Sequence, residues 1–495
     1  MSDLVLWAPL AFGLLGLFLP ARAAGWWGTA GAAVTLAVAA YLAIDFDAAG
    51  GLQHVTDVAW ISGLGVDYSV GIDGLNVFLV LLTAVVWLPA TAFAASREQD
   101  RRRLFFLMLA LGETATLGAF LAQDLLLFVL FFDLMLIPFY FLFGAWGSDR
   151  AGTTAVAATT KMIVYTLLGS LLMLVGAIVT AVLTADGDIT FSIAELQQRT
   201  LGEPSQDWLF WFFAAAFLVK MPAFPIHGWF PDAYRVAPLP ALAVFSAVLS
   251  KVGAYGFLKI VLPTFPDAAI EFQEILLVIA LASILYGSVM AFTQTDLRLV
   301  VGYSSVAQLG FITAGIFVLR PDGADGALLQ MVNHGLVVAP LLLIVAILAE
   351  RTGSEDLREI GGYAMRAPVF AALFLIVALA TLAMPGSANF IGELFILNAL
   401  VDSKMAYAFV ASIGVVLAAY YALRLYQRTM HNRPPMGTEP REIGLGDGAV
   451  IGSFVAVILA LALYPQVILN KTDEAASASV AAFAEPGEPL TGVRE

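Results

Sequence analysis

Apolar stretches long enough to cross a bilayer recur along this chain from Leu4 to Leu469, and no other feature constrains its fold as strongly. A spanning helix needs about 20 mainly apolar residues, because its backbone groups find no water in the hydrocarbon core and must bond within the helix. Cutting the chain at charged or Gly/Pro-rich breaks gives fourteen spans: 4–21, 25–44, 73–95, 104–122, 124–144, 158–184, 207–227, 238–262, 270–291, 298–318, 326–349, 368–400, 406–427 and 447–470. The expected fold is therefore all-α, a polytopic membrane protein with about fourteen transmembrane helices. Composition agrees: 60% of residues are hydrophobic and only 13% charged, against about 25% charged in soluble chains. No Lys or Arg precedes Arg22, so the first span lacks the charged start of a cleavable signal peptide and is expected to be retained.

Cysteine is absent, which excludes disulfides, thiolate metal sites, iron–sulfur clusters and thiol nucleophiles. There are four histidines, His54, His227, His334 and His431. No Walker loop occurs, and no G-x-G-x-x-G opens a helix after a strand. No cofactor is expected in this chain.

Loop charge sets the expected orientation. With the Arg97–Arg103 loop placed in the cytoplasm and the spans alternating, the inner loops hold sixteen Lys/Arg and the outer ones six. Both termini then lie outside. The acidic residues Asp45, Asp47, Asp57, Asp67 and Asp73 share an outer stretch that contains no Lys or Arg. The net charge of −14 is thus a property of the external surface, and no nucleic-acid partner is implied.

A charge near the bilayer centre costs about 2.5–3.5 kcal/mol on insertion scales, so chains keep one only where it pairs, meets water or works. Six spans carry such groups: Glu113, Asp133, Lys220, Lys251, His334 and Glu393. Pro222 and Pro225 follow Lys220, and Pro385 and Gly386 precede Glu393, so both helices are expected to break there. Broken helices five spans apart and running in opposite directions point to two inverted five-helix repeats. The expected division is an N-terminal three-span segment (1–103), a first half-channel (104–262), an inverted second one (270–427), and a last span with an acidic tail (428–495).

Burial in an apolar span penalises the charged form of lysine and carboxylate alike. Asp133 is the expected partner of Lys220, and Glu393 a proton acceptor. Lys251 and His334 lie between them, with Ser304, Ser305 and Gln308 placed to hold bridging waters. Such a series of protonatable groups points to proton movement. His227 is read either as a satisfied helix-end histidine or as a relay. Glu113 is a further candidate without an assignable partner, and His54 and His431 read as surface residues. Trp26, Trp27 and Trp208, near span ends, read as interfacial anchors.

The segments KMPAFPIHGWFPDAYRVAP, LSKVGAYGFLKI, TDLRLVVGYSSVAQLGF, MVNHGL and MPGSANFIGELFIL, with GIDGLN at Gly71–Asn76, resemble one known family. It comprises the antiporter-like membrane subunits of respiratory complex I, shared with Mrp-type sodium/proton antiporters and membrane-bound hydrogenases. The resemblance runs from about Gly71 to span thirteen. It implies that Lys220 carries protons in the first half-channel, modulated by the span-five carboxylate. It also implies that Lys251 links the halves and that His334 leads toward Glu393. The glutamate at 393, where L-type and N-type sister subunits typically carry lysine, points to the third subunit type. The lack of a long lateral helix after span fourteen points the same way.

The partners implied are the other complex I membrane subunits, in a bacterial inner membrane, with NADH, FMN, iron–sulfur clusters and quinone held by partner subunits. Two positions depart from the family pattern: Asp133 replaces the usual glutamate, and Gln308 stands where a histidine is common. The alternative reading is a subunit of an Mrp-type cation/proton antiporter.

Overall fold

The computed structural model describes residues 1–150, 152–432 and 440–483. Arg433 and Arg494, which enter the loop-charge count, lie outside the described residues, as does the end of the acidic tail. The chain is mostly helical. Among the described residues, eleven helices are long and apolar enough to cross a membrane, and Ser2–Gly16 and Pro368–Thr381 are shorter apolar helices. The helix Leu297–Phe317 is wholly buried and Pro321–Thr352 is buried except at its ends, and the two form the centre, whereas Ala155–Leu183 and Leu445–Leu463 leave most of their surface on the outside.

Small residues let the central helices approach closely. A Cβ added at Gly310 would lie 2.8 Å from the Ala280 carbonyl, and one at Gly287 would lie 2.6 Å from the Ala307 nitrogen. Both glycines sit where Gln273–Thr293 packs on Leu297–Phe317, the contact expected where van der Waals fit replaces hydrophobic drive.

The expected helix breaks are present. Glu203–Lys220 ends at Lys220 and the chain resumes as Phe230–Val236 after a stretch with two prolines. Pro368–Thr381 ends before Pro385, and Ala388–Met430 follows. Three features are not visible in the sequence pattern. Leu125–Leu134 and Leu136–Trp146 meet at a break at Met135, two residues past Asp133. The segment Leu239–Thr264 contains two π-helical turns, Phe245–Leu249 and Phe257–Val261, on either side of Lys251. The helix Ala388–Met430 continues through the gap expected between two spans, bending at Lys404 (φ −145°, ψ 78°).

Two other regions differ from expectation. Residues read as an outer loop form an antiparallel hairpin, β1 (Gln53–Ile61) and β2 (Val66–Ile72), in register Thr56↔Val70. Val66, Val70 and Ile72 are buried while most of β1 is exposed, so one strand covers the bundle. Gly65 turns the hairpin at φ +68°, and a Cβ there would lie 2.0 Å from the Ile189 carbonyl. Tyr68 on β2 donates to Asp3 (2.7 Å) and accepts from Trp7 (2.9 Å), and burial together with the Asp3 carboxylate pushes its hydroxyl up to about 12. Span fourteen stops at Leu463 before Pro465, and part of the expected tail is a second helix, Gln466–Ser479. Lys471 fixes it by donating to the carbonyls of Ala43, Ile44 and Phe46 (2.7, 3.0 and 2.9 Å).

The motif Gly71–Asn76 is a capped turn. Asp73 Oδ1 accepts from the backbone of Leu75 and Asn76, Asn76 donates to the carbonyls of Gly71 and Phe120, and Asp73 Oδ2 pairs with Lys259 at 2.6 Å.

One local arrangement occurs twice. Asp124 caps the helix starting at Leu125, the Leu125 nitrogen donates to the Phe191 carbonyl (2.7 Å), and the Ile193 nitrogen donates to the Gln123 carbonyl (3.0 Å). Asp296 caps the helix starting at Leu297, the Leu297 nitrogen donates to the Glu355 carbonyl (2.9 Å), and the Leu357 nitrogen donates to the Thr295 carbonyl (2.8 Å).

Candidate functional site

Lys220 occupies the last turn of its half-helix, where the unsatisfied carbonyls favour a cation. Its side chain is buried, and Nζ has no hydrogen-bond partner among the described residues. The ammonium lies 4.6 Å from the centre of the Phe132 ring, a cation–π contact that replaces part of its lost hydration. Asp133 is within electrostatic reach of Lys220 and beside Ser170, yet no ion pair within 4.0 Å joins it to Lys220 among the described residues. The shorter aspartate therefore leaves a gap. Asp133 instead borders an apolar recess of about 610 Å³ on the exposed flank, with Leu130, Ile137, Tyr140 and Leu167.

On its other side Lys220 lines a cavity of about 20 Å³ with Ser246, Ser250 and Ser305. That is room for about one water, with polar groups on several walls. The Ser246 carbonyl and the Ser250 hydroxyl are also the partners of Lys251 Nζ, at 3.1 and 3.3 Å. The cavity thus lies between the two lysines. The π-turn Phe245–Leu249 ends two residues before Lys251, a type of helix irregularity frequent at functional sites.

Lys251 is fully buried and its Nζ lies 2.9 Å from His334 Nδ1, which joins Leu239–Thr264 to Pro321–Thr352. Two groups read separately from the sequence are thus in direct contact. Nδ1 of a neutral imidazole accepts here when the proton sits on Nε2.

Glu393 lies in the second turn of the helix that resumes after the Pro385 break, and Oε1 accepts from Gln308 Nε2 at 2.7 Å. Gln308 was expected to hold a bridging water; it bonds the carboxylate directly. Its Oε1 accepts from Gln330 Nε2 at 2.6 Å. Tyr421, from the same long helix as Glu393, places a buried hydroxyl in the electrostatic field of Glu393 and Gln308. Ser304 and Ser305 both donate to the Val301 carbonyl (2.7 and 3.1 Å) and keep lone pairs free. Ser304 shares a small cavity of about 10 Å³ with Tyr421, and Ser305 lines the one beside Lys220.

Asp133, Lys220, Lys251, His334 and Glu393 thus fall into three neighbourhoods bridged by polar side chains and a small cavity. Glu113 is buried with Oε1 unpartnered, and no hydrogen bond or ion pair joins it to another candidate among the described residues. His227 sits in the break after Lys220, its ring 4.7 Å from that of Tyr286 and its Nδ1 unpartnered among the described residues. His54 pairs with Asp45 at 3.1 Å and His431 is exposed.

Gln330, Tyr421 and the buried carboxyl of Asp325 escaped the sequence reading. Gln330 precedes His334 by four residues, one helical turn on the same face, and that spacing was the available signal. Arg298, counted as a loop charge, is also buried; Nε and Nη2 hold Glu355 at 2.6 and 2.8 Å, and Glu355 also meets Arg150 at 2.8 Å.

Residues 122–418 match the family model described as NADH:quinone oxidoreductase/Mrp antiporter, transmembrane. NADH-quinone oxidoreductase subunit M of Rhodobacter capsulatus is 35% identical over 462 residues, 91% of this chain and 89% of that one. A chain of respiratory complex I from Thermus thermophilus superposes with a TM-score of 0.90 at 30% identity, covering 98% of this chain and 100% of that one. A chain of the Mrp complex from a Dietzia species gives a TM-score of 0.86 at 24% identity, covering 97% of each, and shares the fold.

Proposed function

The chain belongs to the NADH:quinone oxidoreductase/Mrp antiporter transmembrane family, and from that premise we propose the route by which it moves protons. It is an antiporter-like membrane subunit of complex I of the subunit M kind. Protons pass along Asp133, Lys220, Lys251, His334 and Glu393, with single waters filling the cavity beside Lys220. The observation that carries this reading is the Lys251–His334 contact of 2.9 Å, one end of which shares its serine partners with that cavity. A buried amine against a buried imidazole can exchange a proton without an ion leaving the protein.

His227 and Glu113 are secondary members of the route. The chain has fourteen spans in two inverted repeats, 104–262 and 270–427, between the N-terminal segment 1–103 and the last span and tail 428–495. The duplicated Asp124 and Asp296 caps support this, since five spans on an alternating path separate them and set them at opposite faces. It lies in a bacterial inner membrane with both termini outside, beside L-type and N-type subunits. NADH, FMN, iron–sulfur clusters and quinone are held by partner subunits, and electron transfer there drives the protonation cycle here.

Two experiments test this. A tagged chain pulled down in mild detergent is expected to bring NADH-oxidising activity with flavin and iron–sulfur absorbance; a cofactor-free assembly that exchanges cations for protons in vesicles would establish the Mrp-type alternative instead. Lys220→Met and Glu393→Gln are expected to lower proton translocation per NADH oxidised in an intact assembly. If both variants pump like wild type, the route is wrong.

A further inference from the structure

Glu393 is the end of a hydrogen-bond chain with a direction. Gln330 Nε2 donates to Gln308 Oε1 (2.6 Å), and Gln308 Nε2 donates to Glu393 Oε1 (2.7 Å). All three side chains are buried, and each comes from a different helix. Gly392 makes room for the second amide, since a Cβ there would lie 2.5 Å from Gln330 Oε1. In both bonds of the chain the N–H points toward Glu393, and Gln330 Oε1 at the far end is buried without a partner among the described residues. This direction suits a carboxylate, which only accepts.

A protonated Glu393 has an O–H to place, and the NH₂ of Gln308 cannot accept it. Rotating the Gln308 amide by half a turn exchanges its oxygen and nitrogen at nearly the same positions. Gln308 Oε1 then accepts from the Glu393 hydroxyl, and Gln308 Nε2 meets Gln330. Two NH₂ groups facing each other leave both unsatisfied, so Gln330 must turn as well and present Oε1, the atom now unpartnered. We propose that Gln308 and Gln330 form a two-amide relay that reverses direction whenever Glu393 gains or loses its proton.

The only covalent bond formed is Glu393 O–H, made with the arriving proton and broken as it leaves. The amides do not titrate and carry no proton. They are positioning residues: each direction stabilises one state of the carboxyl, because a mismatched direction strands a buried donor or acceptor. Tyr421 is the titratable group whose field reaches Glu393 and Gln308. Gln330 lies one turn from His334, which contacts Lys251, so the reversal carries the state of Glu393 to the pair between the two halves. The relay has two discrete arrangements, the physical requirement for coupling between sites.

The inference rests on the reading of Glu393 as a proton-carrying group. Its test is pH-difference infrared spectroscopy on the assembled complex with glutamine side chains ¹³C-labelled at Cδ. Raising pH is expected to remove a protonated-carboxyl band that is absent from Glu393→Gln, together with a shift in the labelled glutamine bands. Gln308→Met should abolish that shift. Gln330→Asn, too short to reach Gln308 but still polar, should reduce it while keeping the Glu393 band. A titrating Glu393 band with silent glutamine bands, or a shift that survives Gln308→Met, overturns the relay alone. A pH difference identical in wild type and Glu393→Gln overturns both the relay and the role of Glu393.

Discussion

The two halves of the bundle begin alike and end differently. Each opens on a capping aspartate with the same pair of backbone bonds to a distant loop, and in each the residue nine places later, Asp133 or Ser305, lies near Lys220. In the first half the polar groups stay loosely joined: Lys220 Nζ and Asp133 Oδ1 lack hydrogen-bond partners among the described residues, and Asp133 borders an exposed recess. In the second half the carboxylate is held through a chain of buried amides. A buried group without a partner is free to change its state, and one held by neutral amides changes state only with them. The same local opening thus leads to loosely joined charges in one segment and to a chain of neutral dipoles in the other.

The largest effect is expected between the halves. Lys251→Met keeps the volume and removes the amine that meets His334, so proton translocation per NADH oxidised should fall about tenfold or more, as when a proton-transfer group is lost. Acidification of the lumen of vesicles holding the complex, normalised to NADH oxidation, measures it. Near-normal pumping would mean that the halves work separately and that the Lys251–His334 contact is only structural.

The looseness of the first half can be removed by one methylene. Asp133→Glu should bring the carboxylate to Lys220 and pump at least as well as wild type, whereas Asp133→Asn should pump several-fold less, since a nearby carboxylate favours the charged form of a buried amine. Equal pumping by Asn and Asp variants would show that the carboxylate plays no part, and the contrast between the halves would then lie in Lys220 alone.

What the sequence disclosed, and what it hid, follows the same division. Lys220, Lys251, His334 and Glu393 stood out because ionisable groups are costly within apolar runs, and the breaks beside Lys220 and Glu393 were marked by proline. Gln308 was read as a holder of bridging water, and only the structure shows it bonded to Glu393; Gln330 is neutral, and its one mark in the sequence is its place one turn before His334. Tyr421 lay in a run that reads as ordinary apolar helix. The π-turns beside Lys251 carry no compositional mark, and the hairpin Gln53–Ile72 was taken for a loop because neither strand is long enough to read as a spanning helix. Lys259, counted as an outer-loop charge, proves to be the partner of Asp73 in Gly71–Asn76.

A smaller effect concerns the end of the second half where Arg298 grips Glu355. Glu355→Gln gives the buried guanidinium a single neutral amide oxygen in place of the carboxylate, and removing a charged hydrogen bond of this kind costs about 2 kcal/mol. Thermal unfolding of the detergent-purified protein should show a lower midpoint. Because Arg298 also donates to the Ala237 carbonyl, its side chain should stay in place, and pumping in the remaining folded protein should be little changed.

The smallest effect tests the shared opening of the two halves. Removing an N-cap aspartate costs about 1 kcal/mol, so Asp124→Ala and Asp296→Ala should both lower stability modestly. They should not do so equally. Asp124 accepts from Leu126 and Leu127 at 2.9 Å each and, across the chain, from Asp67 at 3.1 Å; Asp296 accepts from Arg298 at 2.9 Å and more weakly from Leu299 at 3.3 Å. Asp124→Ala therefore loses one further bond, about 0.5–1.5 kcal/mol in net terms, and it frees the edge of the hairpin at Asp67. Thermal unfolding of the two variants side by side should rank Asp124→Ala as the more destabilised. The reverse ranking would mean that the Asp67 bond contributes nothing and that the cap matters more where the helix behind it is wholly buried.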